Sequence, residues 1–184
     1  MSNRLKPKRA FSPKTRFVAF VAASADGRIS LTKKTLPDWT SKEDQYLFQN
    51  SLAQFDAVVV GRYTYQAAAS RLRRRHTFVL SSRVGKIRRR GTVSFVNPAH
   101  ANLAELFRLY KTVAVLGGGA VYRVMLENNL LHEIYITIEP LIFGRGKEMF
   151  VGGTQTTHVR LLSVKRLNRR GTLLLHYQIN HQKP

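Results

Sequence analysis

Five short runs of consecutive apolar and β-branched residues constrain this chain most: 16–22 (RFVAFVA), 56–60 (DAVVV), 76–80 (HTFVL), 92–96 (TVSFV) and 112–116 (TVAVL). Each is too short for a typical helix and lacks the polar alternation of a strand with one wet face, so each reads as a strand covered on both sides. Helical patterns lie between them. Thr40 or Ser41 followed by Glu43 and Asp44 supplies a hydroxyl cap and acids for a first turn, and Tyr46, Leu47, Leu52 and Phe55 supply an apolar face. Residues 101–110 are amphipathic, and Ala120, Val121, Val124, Met125 and Leu126 continue a helix from Gly117-Gly118-Gly119 to Asn128-Asn129. Strand, helix, strand is the repeating order. A further strand, 133–138 (EIYITI), should stop at Pro140, and 158–164 and 172–179 flank the hairpin signal Arg169-Arg170-Gly171. The predicted fold class is α/β in three layers: a mainly parallel central sheet, helices on both faces and an antiparallel C-terminal hairpin. In such a fold ligands sit beyond the carboxyl ends of the strands.

A length of 184 residues suits one domain, placed at 15–184, preceded by an expected mobile basic arm at 1–14. No long uncharged apolar run or signal-peptide core is visible, and a cytoplasmic location is the expectation. Zero cysteines exclude disulfides, thiolate nucleophiles and cysteine-ligated metals. The six histidines (76, 100, 132, 158, 176, 181) show no ligand spacing, so no metal site is expected. Thirty-one Lys and Arg against ten Asp and Glu give a formal +21, which attracts polyanions at low salt whatever the fold. The basic blocks adjoin turns or chain ends. Solvated loops are the plain reading and nucleic-acid binding the sharper one, with no zinc-finger, helix-turn-helix or aromatic RNA-binding signature to favour the latter.

Three loops at predicted carboxyl ends carry phosphate-binding chemistry: Gly61-Arg62-Tyr63-Thr64, Ser81-Ser82-Arg83 and Gly117-Gly118-Gly119. Glycine before a helix lets free N–H groups face an anion along the helix dipole, and hydroxyl and guanidinium groups add donors. Taken singly, each is equally an ordinary polar turn. Their coincidence is the informative part.

An ordered set of blocks then resembles the dihydrofolate reductase pattern: Leu36-Pro37, Trp39, Asp44 and Phe48; Val60 to Tyr65; Val79-Leu80-Ser81-Ser82; and Val115 to Tyr122. Ser24-Ala25-Asp26-Gly27-Arg28-Ile29-Ser30, Leu131-His132-Glu133-Ile134 and Pro140 to Gly144 look more like the reductase domain of the bifunctional riboflavin-biosynthesis deaminase-reductase and its stand-alone relatives. The resemblance spans about residues 16–152 and places the chain in the dihydrofolate reductase-like superfamily.

The resemblance implies a dihydrofolate reductase-like fold, NADPH as cofactor and a homodimer. Gly61, Arg62, Thr64, Ser81, Ser82 and Arg83 would hold the cofactor phosphates, including the one on the adenosine ribose. Gly117, Gly118 and Gly119 would admit the pyrophosphate and nicotinamide, with Tyr122 closing over them. Asp44 matches the dihydrofolate reductase acid that assists proton transfer, with Phe48 and Trp39 lining the substrate slot. Ser24 and Asp26 match the riboflavin-type loop that faces the sugar of the substrate, so Asp26 is a second catalytic candidate. Asp44 with Glu43 also serves as a plain helix-dipole pair, and Asp26 as a turn former. The chain departs from the riboflavin pattern at Leu116, at His132-Glu133 and at Ala67 to Arg71, where Arg71 or Arg73 is the candidate for a replacement phosphate contact.

The expected function is an NADPH-dependent reductase of 5-amino-6-(5-phosphoribosylamino)uracil or a related pyrimidine. Dihydrofolate reduction is the enzymatic alternative. A non-catalytic, nucleic-acid-associated protein with a reductase fold is the alternative from another class.

Overall fold

The computed structural model describes residues 15–31, 38–152 and 156–181. The basic arm 1–14 and Leu36-Pro37 lie outside the described residues. The chain runs through β1 (Arg16–Ser24), β2 (Arg28–Ser30), α1 (Lys42–Leu52), β3 (Ala57–Gly61), α2 (Arg62–Leu72) and β4 (His76–Leu80). β5 (Ile87–Arg90), β6 (Val93–Val96), α3 (Leu103–Phe107), β7 (Thr112–Val115) and α4 (Gly119–Glu127) follow. β8 (Glu133–Glu139), β9 (Lys147–Glu148), β10 (His158–Arg166) and β11 (Leu173–Asn180) complete it.

Nine strands form one sheet in the order β10-β11-β8-β1-β7-β3-β4-β6-β5, and β2 pairs with β9 separately. Contacts from β8 through β6 are parallel, whereas β5 and the β10–β11 hairpin pair antiparallel. The absence of alternation in DAVVV has its explanation here. Ala57 and Val59 pack towards α3 and α4 with Phe17, Phe78, Phe107 and Met125, while Val58 and Val60 pack towards α2 with Ala68, Leu72 and Val79. Both faces are dry, so both sets of side chains are apolar. Ser41 caps α1 as expected, its hydroxyl accepting the Asp44 N–H at 3.3 Å.

Three strands and one helix carried little apolar signal. β5 reads Ile-Arg-Arg-Arg with all four residues exposed, and it exists because Ile87 to Arg90 pair with Val96 to Val93 of β6. α2 buries only Ala68 and Leu72, too few for a clear helical stripe. β2 and β9 hold each other across more than a hundred residues.

At the amino edge of the sheet, Glu133 opens β8 and is gripped by the Arg16 guanidinium through two bonds of 2.7 and 2.6 Å, with His176 Nε2 at 2.8 Å. The Arg16 hydrogen bonds are the main cause holding this carboxyl below the usual glutamate range. A depressed folded-state pKa contributes stability above the unfolded value and loses it as pH falls through the folded one. Glu133→Gln is therefore expected to cost about 1 kcal/mol at neutral pH, after discounting for the half-exposed arginine, with the difference from wild type closing as pH falls below the usual glutamate range. Urea unfolding at neutral and at acid pH measures it.

Candidate functional site

β7, β3 and β4 are neighbours, so the turns at their carboxyl ends share one rim. Gly61 pairs in register with Leu80, which sets Arg62 beside Ser81, and the Gly61 N–H donates to the Gly117 carbonyl at 2.8 Å. All three predicted phosphate loops are thus brought together. Thr64 lies in the first turn of α2, half-buried. Ser82 and Arg83 are exposed on a loop that Asn97 secures, its side-chain amide donating to Val84 O and its N–H to Lys86 O, both at 2.9 Å.

Two helices start at this rim without a side-chain cap: α2 behind Gly61 and α4 behind Gly118. Their first-turn N–H groups lack the hydroxyl or carboxylate that normally satisfies them, and both dipoles present their positive ends. Arg62 adds charge, its guanidinium 4.2 Å from the Tyr63 ring, and Lys147 Nζ approaches the same ring at 5.8 Å. Free N–H groups, two helix dipoles and two cations at one rim together favour an anion. Lys147 was not foreseen, because β9 reaches the rim through long-range contacts, its pairing with β2 and its backbone's approach to Gly119.

The three glycines of the run differ. A Cβ on Gly117, whose φ is +81°, would lie 2.5 Å from the Tyr122 hydroxyl oxygen, and one on Gly119 would meet Val151 Cγ2 at 2.9 Å and Met149 O at 3.0 Å. Gly118 faces open space. Tyr122, expected to close over a cofactor, is instead 2% exposed beneath Gly117, with its hydroxyl donating to Phe20 O at 2.7 Å. Burial raises its pKa, and the ring shapes the glycine turn from below.

On the far side of β7, the ends of β1 and β8 meet α1. Asp44 is buried and accepts from the Thr137 hydroxyl at 2.6 Å. Desolvation raises its pKa above the usual aspartate value; the Thr137 bond opposes the shift and nearby Glu139 adds to it. Glu139 is itself buried, taking the Ser41 N–H on one oxygen and the Thr172 hydroxyl on the other, each at 2.7 Å. A buried carboxyl with a raised pKa beside a second one has the chemistry that a general acid needs. Phe48 meets Phe20 edge to face at 5.9 Å, and Trp39 meets Phe143 likewise at 5.1 Å. Thr137 and Glu139 escaped sequence reasoning. The available signal was polar residues at alternate positions of EIYITIE, on the face that α1 covers.

Ser24 and Asp26 stand where the end of β1 turns beside the 141–144 segment. Ser24 is wholly buried and donates to Asp26 Oδ1 at 2.6 Å, and Asp26 also accepts the N–H groups of Phe143 at 3.1 Å and Gly144 at 2.8 Å. These bonds, that from Ser24 first, bring the carboxyl down to about 2. These bonds staple the β1 turn to the 141–144 segment, and the carboxyl remains exposed. The suggested phosphate contact from Arg71 or Arg73 is also corrected, since α2 starts at the rim and carries these residues about 16 Å away, to the opposite edge of the sheet.

The sequence matches the dihydrofolate reductase family over residues 17–152. No curated protein matches the chain in sequence. Among solved structures, a pyrimidine reductase-like protein from Corynebacterium diphtheriae is similar with a TM-score of 0.72 at 16% identity, over 91% of this chain and 93% of that one. A diaminohydroxyphosphoribosylaminopyrimidine deaminase/5-amino-6-(5-phosphoribosylamino)uracil reductase from Thermotoga maritima is similar with a TM-score of 0.66 at 15% identity, over 91% of this chain and 57% of that one. Dihydrofolate reductase from Enterococcus faecalis, complexed with NADP(H), is similar with a TM-score of 0.63 at 20% identity, over 92% and 99% of the two chains.

Proposed function

The chain belongs to the dihydrofolate reductase family, and on that premise we propose that it is a cytoplasmic, NADPH-dependent reductase of a phosphoribosylamino-pyrimidine, 5-amino-6-(5-phosphoribosylamino)uracil or a close relative. The observation that carries the reading is the pair of uncapped helix starts, α2 and α4, joined by the Gly61 to Gly117 hydrogen bond at one rim. The rim fits a dinucleotide. Open space at Gly118 admits its backbone, free N–H groups meet the pyrophosphate, and Arg62, Thr64, Ser81, Ser82 and Arg83 supply donors for the phosphate on the adenosine ribose. Bound there, NADPH supplies a hydride.

The remaining chemistry falls to the protein. Reducing the ribose carbon attached to the amine nitrogen adds one hydride to that carbon and one proton elsewhere on the substrate. Asp44, buried and resistant to ionisation, holds that proton, with Thr137 fixing the carboxyl orientation. Phe48 and Trp39 exclude water from the pyrimidine. Holding the two reactants in register does most of the catalysis. The riboflavin-type reading rests on the similarity to pyrimidine reductases; the Asp44–Thr137 pair keeps dihydrofolate reduction as the second reading.

A homodimer is part of the proposal. The edge strand β10 leaves Val159, Leu161, Leu162 and Val164 between 44 and 54% exposed, an apolar strip that a second copy would cover.

Fluorescence titration with NADPH and NADH is the first test. NADPH is expected to bind at least tenfold more tightly, since only it carries the extra phosphate. Equal affinities would remove the assigned role of Arg62, Ser82 and Arg83. Absorbance at the nicotinamide band with the pyrimidine and with dihydrofolate then separates the two substrates.

A further inference from the structure

We propose that the sheet edge at β5, together with the end of α2, is a binding surface for the phosphate backbone of a nucleic acid, separate from the reductase cleft. Residues 57–104 contain no Asp or Glu, against one lysine and nine arginines. Among the described residues, none of the ion pairs uses a residue of that segment. Four of the ten acids, Glu133, Glu148, Glu105 and Glu127, pair instead with Arg16, Arg28, Arg108 and Arg123.

The fold gathers these cations. Arg71 ends α2, Arg73 and Arg74 follow it, and Arg88, Arg89 and Arg90 form β5; all six are exposed. The two runs meet at one corner, where the Thr92 hydroxyl, two residues beyond Arg90, donates to the Arg73 carbonyl at 2.6 Å. Arg88 and Arg90 pair with Phe95 and Val93, residues that pack towards α2, so they share the α2 side of the sheet, about 7 Å apart along the strand. The Arg88 guanidinium is braced 5.3 Å from the Phe95 ring. Edge protection against strand pairing explains charge on β5 but not the arginines at the helix end. Arginine almost to the exclusion of lysine suits phosphate oxygens, which its planar fork can engage two at a time. A lipid surface is disfavoured on the α2 side, where the exposed residues of Arg71 to Arg74 and of Arg88 and Arg90 are all arginines; the exposed Leu109 and Ile87 border Arg89 on the other face. Sequence-independent contact is implied, since every group is a cation and none is a base-reading amide.

The test is fluorescence anisotropy of the full chain with labelled twenty-nucleotide RNA and with duplex DNA, from 50 to 300 mM salt. Five phosphate contacts, from Arg71, Arg73, Arg74, Arg88 and Arg90, give a log-log salt slope of about −3.5 on a single strand and about −4.5 on a duplex. The double variant Arg88→Glu with Arg90→Glu, and in parallel Arg71→Glu with Arg74→Glu, should each weaken binding at least tenfold and flatten the slope by about 1.5. Lys165→Glu with Arg169→Glu, on the opposite hairpin, removes the same formal charge and should weaken binding less than threefold. Equal losses in all three variants would reduce the effect to net charge and overturn the proposal. So would tighter binding to vesicles rich in anionic lipid, lost in the same two patch variants, or an absence of binding by the unmodified chain at 150 mM salt. Melting curves establish that each variant is folded, and NADPH titration of the same samples should be unchanged, which keeps the outcome independent of the reductase reading.

Discussion

Replacing Asp44 by asparagine is expected to lower kcat by roughly 10²- to 10⁴-fold, the usual range for loss of a positioned general acid, while leaving the protein as stable as before or slightly more so. The side chain keeps its size and can still accept from Thr137, but has no proton to donate. The stability half of the prediction follows from the direction of the pKa shift. Burial raises the folded-state value, so the folded protein favours the neutral acid, and its contribution is full below the unfolded aspartate value. As pH rises through the folded-state pKa the carboxyl ionises inside the protein and that contribution is lost. At pH 7 the variant escapes this penalty, with a melting temperature equal to wild type or a few degrees higher, and the advantage disappears in acid. Wild-type kcat should fall as pH rises through the same titration, because the protonated acid is the useful form. An asparagine variant with full activity and a lowered melting temperature would make Asp44 a helix-start residue alone.

The glycine run should separate into a folding position and a binding position. Gly117→Ala places a side chain at φ +81° and 2.5 Å from the Tyr122 hydroxyl, where the buried ring has no room to yield. Strain and overpacking together are expected to cost about 2–4 kcal/mol. Gly118→Ala meets nothing within 4 Å and keeps an ordinary φ of −73°. Its melting temperature should stay within about 2 °C of wild type. Its methyl group instead fills the space before the α4 start, and NADPH affinity should drop at least tenfold. Thermal melting and cofactor titration of both variants read the two effects apart. An alanine at 118 that binds NADPH as tightly as glycine would move the cofactor away from α4.

Both predictions depend on features of different visibility. The turn sequences after β3, β4 and β7 were readable because their chemistry is local: glycine where a helix must start close to a strand, hydroxyls and arginine where an anion is to be held. Their meeting was not local. It follows from β7 inserting between β1 and β3, which brings Gly117 against Gly61 although 56 positions separate them.

Asp26 and Asp44 show the same divide. Before the fold is known, each is an acid beside a turn or helix start with two readings. The partners decide between them. Asp26 receives a hydroxyl and two backbone N–H groups that lower its pKa; Asp44, in the first turn of α1, is pressed against β8 beside Glu139, and burial raises its pKa. Those partners lie between 93 and 118 residues away in sequence, apart from Ser24.

From the amino-acid order alone came the strand runs, the layered α/β class, the terminal hairpin and the make-up of the turns after β3, β4 and β7. Each of these reports solvent exclusion or turn geometry within a few residues. Tertiary structure decided the rest: that the all-polar arginines of β5 form an edge strand, that Arg71 and Arg73 fall at the opposite edge from the cleft, that Tyr122 lies beneath the glycines, and that Thr137 and Glu139 complete the acid site. The physical reason is common to all four. Strand register and helix length set which distant groups become neighbours, and a side chain's protonation and role depend on those neighbours rather than on its own type.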